Sequence, residues 1–223
     1  MRKELNMNKI NTNKVIRLNG VKKSFKGNIL FENVSLEIEK GQVVGFRGRN
    51  GSGKSVLLKI IAGLYTPDEG DVYIQGEKLG DRIDYPDDVG ILVDSPGFIE
   101  VLSGFENLCL LAEIKGRIGR GEIESAMRKF DLDPDSRKKV KNYSLGMKEK
   151  LGIIQATMED QEIVILDEPF NALDEASCQH LYQFLMQLKD RKKTILLTSH
   201  NQADLDALCD VQYSVPAFEK LMS

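Results

Sequence analysis

The run Gly48-Arg49-Asn50-Gly51-Ser52-Gly53-Lys54-Ser55 has the residue types and the spacing to hold a chain of phosphates. It fits the pattern G-x-x-x-x-G-K-[ST] at every fixed position. The chemistry follows from the parts. Gly48, Gly51 and Gly53 let the backbone turn tightly, so that N–H groups in the loop, those of Asn50 and Ser52 included, can point at an anion. A helix N-terminus behind them adds partial positive charge. Lys54 is placed to reach the β- and γ-phosphates of a nucleotide. The Ser55 hydroxyl is placed to hold Mg²⁺, a hard ion that prefers oxygen. The flanks supply the setting: 42–46 reads as a buried strand and 55–61 as a helix. A glycine-rich turn with an ordinary surface lysine is the plain alternative, and the complete pattern in a strand–turn–helix setting speaks against it.

A second constellation supplies carboxylates. Ile163-Val164-Ile165-Leu166-Asp167-Glu168-Pro169 ends a continuous apolar strand on two acids, and ligands of open α/β sheets bind at that edge. Asp167 suits the Mg²⁺ side of such a site, acting through water. Glu168 suits a general base that polarises the attacking water. The rival reading is a strand that ends in a solvated acidic turn. Upstream, Tyr143-Ser144-Leu145-Gly146-Met147 opens a helical segment. A serine hydroxyl and a glycine N–H at a helix N-terminus can face a γ-phosphate. They can equally be a plain serine N-cap with a glycine for close packing.

The elements that must position these groups are alternating strands and helices. Val34, Leu36 and Ile38 alternate with polar neighbours, as in a half-buried strand; 66–70 reads as a turn, 71–75 and 89–93 as strands. From Ser103 to about Met158 the helical period takes over, with Phe105, Leu108, Leu111 and Ala112 on one face and Ile123, Met127 and Phe130 on another. The basic run 137–141 within it reads as a solvated loop rather than a binding patch. Strands return at 162–166 and 194–198, separated by a helix over 174–190. Runs apolar on both faces suit a parallel sheet covered by helices. The organisation expected is one domain, with an α/β core at about 14–94 and 159–215 and a helical subdomain at about 95–158.

Bulk properties set bounds. With 223 residues and 41% apolar content the chain can bury one sizeable core. A net charge of −3 lacks the basic excess of a general nucleic-acid binder, so no nucleic-acid partner is expected. Cys109, Cys178 and Cys209 have no metal or redox spacing and read as buried thiols in a reducing compartment. Residues 1–13 are polar, without the apolar stretch of a signal peptide, and read as a loose arm. No run approaches the ~18 apolar residues that cross a bilayer, so any work at a membrane is expected to go through a partner.

From about residue 15 to 210 the chain resembles the ABC ATPase family. Ser144 and Gly146 match its signature, close to Leu-Ser-Gly-Gly-Gln, while Tyr143, Leu145 and Met147 depart from it. Phe170-Asn171-Ala172-Leu173-Asp174 resembles the family's D-loop, which crosses a dimer interface. Ser199-His200 resembles the switch histidine that contacts the γ-phosphate. A turn residue is the alternative for His200, and mid-helix His180 reads as structural. Phe25 matches the aromatic that stacks on adenine, against core packing as its alternative. Most members carry glutamine, a Mg²⁺ ligand, where this chain has Asp94; a turn cap before Pro96 is the other reading.

The resemblance implies a P-loop NTPase core with an N-terminal antiparallel β region and an inserted α-helical subdomain. It implies ATP and Mg²⁺, hydrolysis at Glu168 with His200, and Ser144 and Gly146 serving the ATP of an opposite subunit. It implies a homodimer or heterodimer on the cytoplasmic face of the membrane, bound to integral membrane transporter subunits. Asp94, Pro96-Gly97-Phe98, 102–108 and 144–147 are similar to the lantibiotic-immunity and bacitracin-resistance branch of peptide-antibiotic exporters. A soluble ABC ATPase of translation or repair is the rival, although such proteins usually carry two cassettes or a coiled coil. A P-loop GTPase would need an Asn-Lys-x-Asp motif that this sequence lacks, and a kinase would have no need of 143–147 or Ser199-His200.

Overall fold

The apolar runs beside the phosphate loop become the centre of a six-stranded sheet in the computed structural model of the chain, which describes residues 13–81, 83–94, 97–216 and the backbone of 220–221. In chain order the elements are β1 (Lys14–Phe25), β2 (Asn28–Glu39), β3 (Val43–Arg47), α1 (Lys54–Ile61), β4 (Glu69–Ile74), β5 (Glu77–Lys78), β6 (Val89–Leu92), α2 (Gly104–Lys115), α3 (Arg120–Lys129), α4 (Leu145–Thr157), β7 (Ile163–Leu166), α5 (Glu175–Asp190), β8 (Thr194–Thr198), α6 (Gln202–Leu208), β9 (Val211–Ser214) and β10 (Lys220–Leu221).

The larger sheet runs β10-β9-β3-β8-β7-β6 and is parallel except for the β9–β10 pair. Successive side chains in a strand face opposite ways. Ile163 and Ile165 of β7 and Leu196 of β8 therefore join a core shared with α1 and the smaller sheet. Val164, Leu166, Ile195 and Leu197 join the other core, against α2 to α5. Both faces being covered accounts for the uninterrupted apolar runs. The smaller sheet, β2-β1-β4-β5, is antiparallel throughout. Between β6 and β7 lies the helical region expected from the sequence. Its first helix, α2, is fixed by a capping box in which Ser103 Oγ accepts from the Glu106 N–H and a Glu106 oxygen accepts from the Ser103 N–H.

Two expectations need correction. The segment 66–70 is not a turn throughout, because β4 begins at Glu69, opposite Lys22 of β1. Gly70 permits this close pairing: at φ 83 it passes so near the Gly20 carbonyl that a Cβ would lie 2.4 Å from its oxygen. Nor are all three thiols buried. Cys209 is, and burial pushes it up to about 12, but Cys109 and Cys178 are only partly covered. The arm at 1–12 and Pro96 lie outside the described residues.

One contact joins the helical region to the sheet without any side chain between. A Cβ on Gly90 of β6 would lie 1.7 Å from the Ala156 carbonyl oxygen of α4. Gly90→Ala should therefore push helix and strand apart and cost about 2–3 kcal/mol, at the upper end for overpacking. A thermal melt of the variant should show it, and an unchanged midpoint would mean that the two elements tolerate separation.

Candidate active site

The order β3-β8-β7 puts three strand ends side by side at one edge of the sheet. The phosphate loop leaves β3, Ser199-His200 leaves β8, and Asp167-Glu168 leaves β7. Register does the alignment: Phe46 stands opposite Thr198, and Leu166 opposite Leu197. A cleft of about 350 Å³ at this edge is lined by Phe25, Asn50, Gly51, Ser52, Gly53, Lys54, Ser55, Asp167 and Glu168, among others. Most of the sequence-selected residues are thus gathered in one place.

The loop holds the form its glycines allow, with φ 77 at Gly51 and 102 at Gly53. Gly48 is equally constrained, since a Cβ there would meet the Val215 carbonyl oxygen at 2.5 Å and Ser52 Oγ at 2.6 Å. Ser52 Oγ is buried with no hydrogen-bond partner. An orphaned hydroxyl inside a phosphate-shaped loop is a donor awaiting an acceptor. Lys54, 6% exposed, donates Nζ to the Gly48 carbonyl at 2.9 Å and stands 3.8 Å from Glu168 Oε1.

Glu168 is held from two sides. Its Oε2 accepts from the His200 backbone N–H at 2.9 Å and lies 3.1 Å from His200 Nδ1. Its own backbone is in the left-handed region, φ 52, and its N–H donates to Thr198 Oγ1 at 2.8 Å. Thr198 Oγ1 in turn donates to Asp167 Oδ1 at 2.6 Å. Thr198, fully buried, is a positioning residue that sequence reasoning passed over. The one signal was a polar residue at the end of the strand that leads into Ser199-His200.

Ser55 and Asp167 both line the cleft and offer hard oxygen. Among the described residues no cluster of three or more histidine, cysteine or carboxylate side chains could hold a metal. That sparse donor set fits Mg²⁺, which is usually bound through one or two carboxylates, water and substrate phosphates. Asp94 is placed differently. It stands after β6, beyond β7 from the phosphate-loop strand, in a left-handed conformation with φ 58. Its carboxylate pairs with Lys59 of α1, and this pairing raises the Lys59 ammonium above its usual value.

Ser144 and Gly146 line another cavity, of about 630 Å³, which shares no lining residue with the phosphate-loop cleft. Within the single chain they do the plain work. Ser144 Oγ caps α4 by accepting from the Met147 N–H at 3.2 Å. A Cβ on Gly146 would come within 2.8 Å of the Ala172 carbonyl oxygen. The hydroxyl still has its own hydrogen to donate outward. His180 stacks on Phe130, with centroids 5.5 Å apart. Phe25 is not core: it is 44% exposed. A further carboxylate, Glu149 of α4, is partly buried, and its burial with the nearby charge of Asp167 pushes it up to about 7. No helix among the described residues is long and apolar enough to cross a membrane.

Comparison with known proteins gives concordant findings. The family profile described as ABC transporter matches residues 31–171. An uncharacterized ABC transporter ATP-binding protein of Bacillus subtilis (strain 168), YybJ, is 36% identical over 197 residues, covering 88% of this chain and 90% of that protein. The bacitracin transport ATP-binding protein BcrA of Enterococcus faecalis is 34% identical over 199 residues, covering 88% of this chain but only 65% of that protein. The lantibiotic transport ATP-binding protein SrtF of Streptococcus pyogenes is 30% identical over 196 residues, covering 88% and 84%. Among solved structures, the dimeric post-hydrolysis state of the ATP-binding cassette MJ0796 bound to ADP and Pi superposes with a TM-score of 0.84 at 26% identity, covering 93% of this chain and 99% of that one.

Proposed function

This chain belongs to the ABC transporter family as an ATP-binding protein, and on that premise we propose how its residues divide the work and what it helps to move. ATP hydrolysis coupled to transport is the family activity. In our reading Lys54 and the loop N–H groups hold the phosphates, Phe25 receives the adenine, and Glu168 acts as the base with His200 beside it. Ser55 and Asp167 would hold Mg²⁺, which when bound supplies charge neutralisation on the phosphates. Asp94 would have to leave Lys59 to join them.

The observation that carries the assignment is the placing of the Glu168 carboxylate between Lys54 and His200. Lys54 and His200 are the groups expected to face the terminal phosphate. Both contact the Glu168 carboxylate, Lys54 at Oε1 and His200 at Oε2. An arriving phosphate draws Lys54 away, and the carboxylate becomes available to a water. The substrate thus frees the base that activates the attacking water, which ties the timing of hydrolysis to occupancy.

The separation of Ser144 and Gly146 from the phosphate-loop cleft favours composite sites between two copies or two related chains. Closure on ATP and opening after hydrolysis would then reach the membrane subunits through the helical region. Exposed Ile99 and Val101 before α2, with Leu110 and Ile114 one turn apart on it, offer those subunits an apolar surface at the cytoplasmic membrane face. Likeness to bacitracin and lantibiotic transport ATPases supports export of peptide antibiotics or related amphiphiles as the cargo class.

Mixing variants tests the shared site. Ser144→Arg should retain ATP binding and lose hydrolysis, because bulk and charge block a helix end meant for phosphate. Mixed with Lys54→Ala, it should regain activity with at most one competent site per pair, seen as ATPase that rises on mixing. Activity equal to the sum of the separate chains would refute sharing. A pull-down from solubilised membranes should also recover an integral membrane protein; its absence would favour the soluble ATPase reading.

A further inference from the structure

The turn between α1 and β4 is fastened to the end of β1. Asp68 accepts from the Ser24 N–H and Oγ at 2.7 Å each through Oδ2, and from Lys23 Nζ at 2.7 Å through Oδ1. Lys23 Nζ also donates to the Thr66 carbonyl at 2.9 Å. This clamp brings together the residues on either side of it, Phe25 and Tyr65. Their rings meet edge to face, with centroids 6.1 Å apart and planes at 61°. Tyr65 is steadied in turn by Lys59, whose Nζ sits 5.0 Å from its ring centroid and is itself paired with Asp94. Phe25 needs such support. It ends a strand, is 44% exposed, and an aromatic ring there is free to change rotamer unless a neighbour blocks it.

We propose that Tyr65 is a positioning residue for the nucleobase: its edge contact holds the Phe25 ring in the orientation on which the base stacks. The inference rests on the reading that Phe25 receives the adenine. Tyr65 does not line the phosphate-loop cleft, so its contribution goes through Phe25. The orientation is set before nucleotide arrives, and affinity rises because the ring need not be ordered on binding. Lys59 of α1 and Asp94 after β6 thereby serve the base end of the site.

The test uses the full chain, with ATP and inorganic tripolyphosphate as probes in titration calorimetry. Tripolyphosphate has the phosphates and no base. Tyr65→Ala should weaken ATP binding about three- to tenfold, the worth of an aromatic pair, and leave tripolyphosphate unchanged. Tyr65→Phe, which keeps the ring, should bind ATP like the parent chain. Equal weakening of both probes, or unchanged ATP affinity, overturns the proposal. Phe25→Ala separates the two levels. If it leaves the ratio of ATP to tripolyphosphate affinity unchanged, the base does not rest on Phe25 and both readings fall. If it lowers that ratio while Tyr65→Ala does not, only the role of Tyr65 falls.

Discussion

Glu168→Gln is expected to lower ATP turnover by about 10²–10⁴-fold, the usual loss when a general base is removed. ATP binding should survive, since the phosphate loop is untouched. The amide keeps the shape of the carboxylate and can still accept from the His200 N–H, but it cannot take a proton from water. It also removes the negative charge 3.8 Å from Lys54, so the lysine should meet the phosphates with less competition. The variant should then accumulate as an ATP-loaded dimer, seen as a doubling of mass by light scattering when ATP is added. Turnover close to that of the parent chain would reject Glu168 as the base.

Lys54→Ala should act at the earlier step. The ammonium is nearly buried and donates to the Gly48 carbonyl. Its loss leaves Glu168 and Asp167 facing an incoming polyanion with no cation between. Hydrogen bonds to a charged group are worth about 1.5–3 kcal/mol, so ATP affinity should fall about 10- to 100-fold and hydrolysis with it. Equilibrium titration with ATP measures the first and phosphate release the second. Full affinity in Lys54→Ala would show that the loop N–H groups suffice and that the lysine serves only its own backbone.

The parts of this architecture that could be read from residue order are those whose signal is local. The runs at Ile163–Leu166 and Thr194–Thr198 are apolar on both faces because both faces are covered, and that shows in sequence as the absence of alternation. The phosphate loop is contiguous, so its pattern and its fold coincide. The strand β1 left no comparable trace. Its pairing with β2 shifts register repeatedly, and its burial alternates only over 16–19 before Gly20, at φ 58, interrupts it. The helix α6 and strand β9 are too short to carry a period.

Within the site, what escaped was whatever depends on which strands become neighbours. Thr198 gains its role only because β8 lies beside β7. Lys59 looked like one more polar residue on a helix until the end of β6 brought Asp94 to it. Glu149, flanked by Lys148 and Lys150, has the sequence surroundings of a solvated helix face; only packing partly buries its carboxylate, within reach of the charge of Asp167.

The bare contact of α4 on β6 has a mechanical consequence. Where two backbones touch through Gly90, there is no side chain to yield, and the joint behaves as a pivot rather than a cushion. Ala156 sits near the pivot; Ser144 caps the opposite end of the helix. At 1.5 Å per residue the arm between them is about 18 Å long. A tilt of only about 5° at Gly90 would swing Ser144 through about 1.6 Å, more than half the length of a hydrogen bond. With a stiff hinge and a long arm, a slight rocking of the sheet edge would be enough to make or break the phosphate contact proposed for Ser144. The one residue of the strand without a side chain is then what sets the gearing.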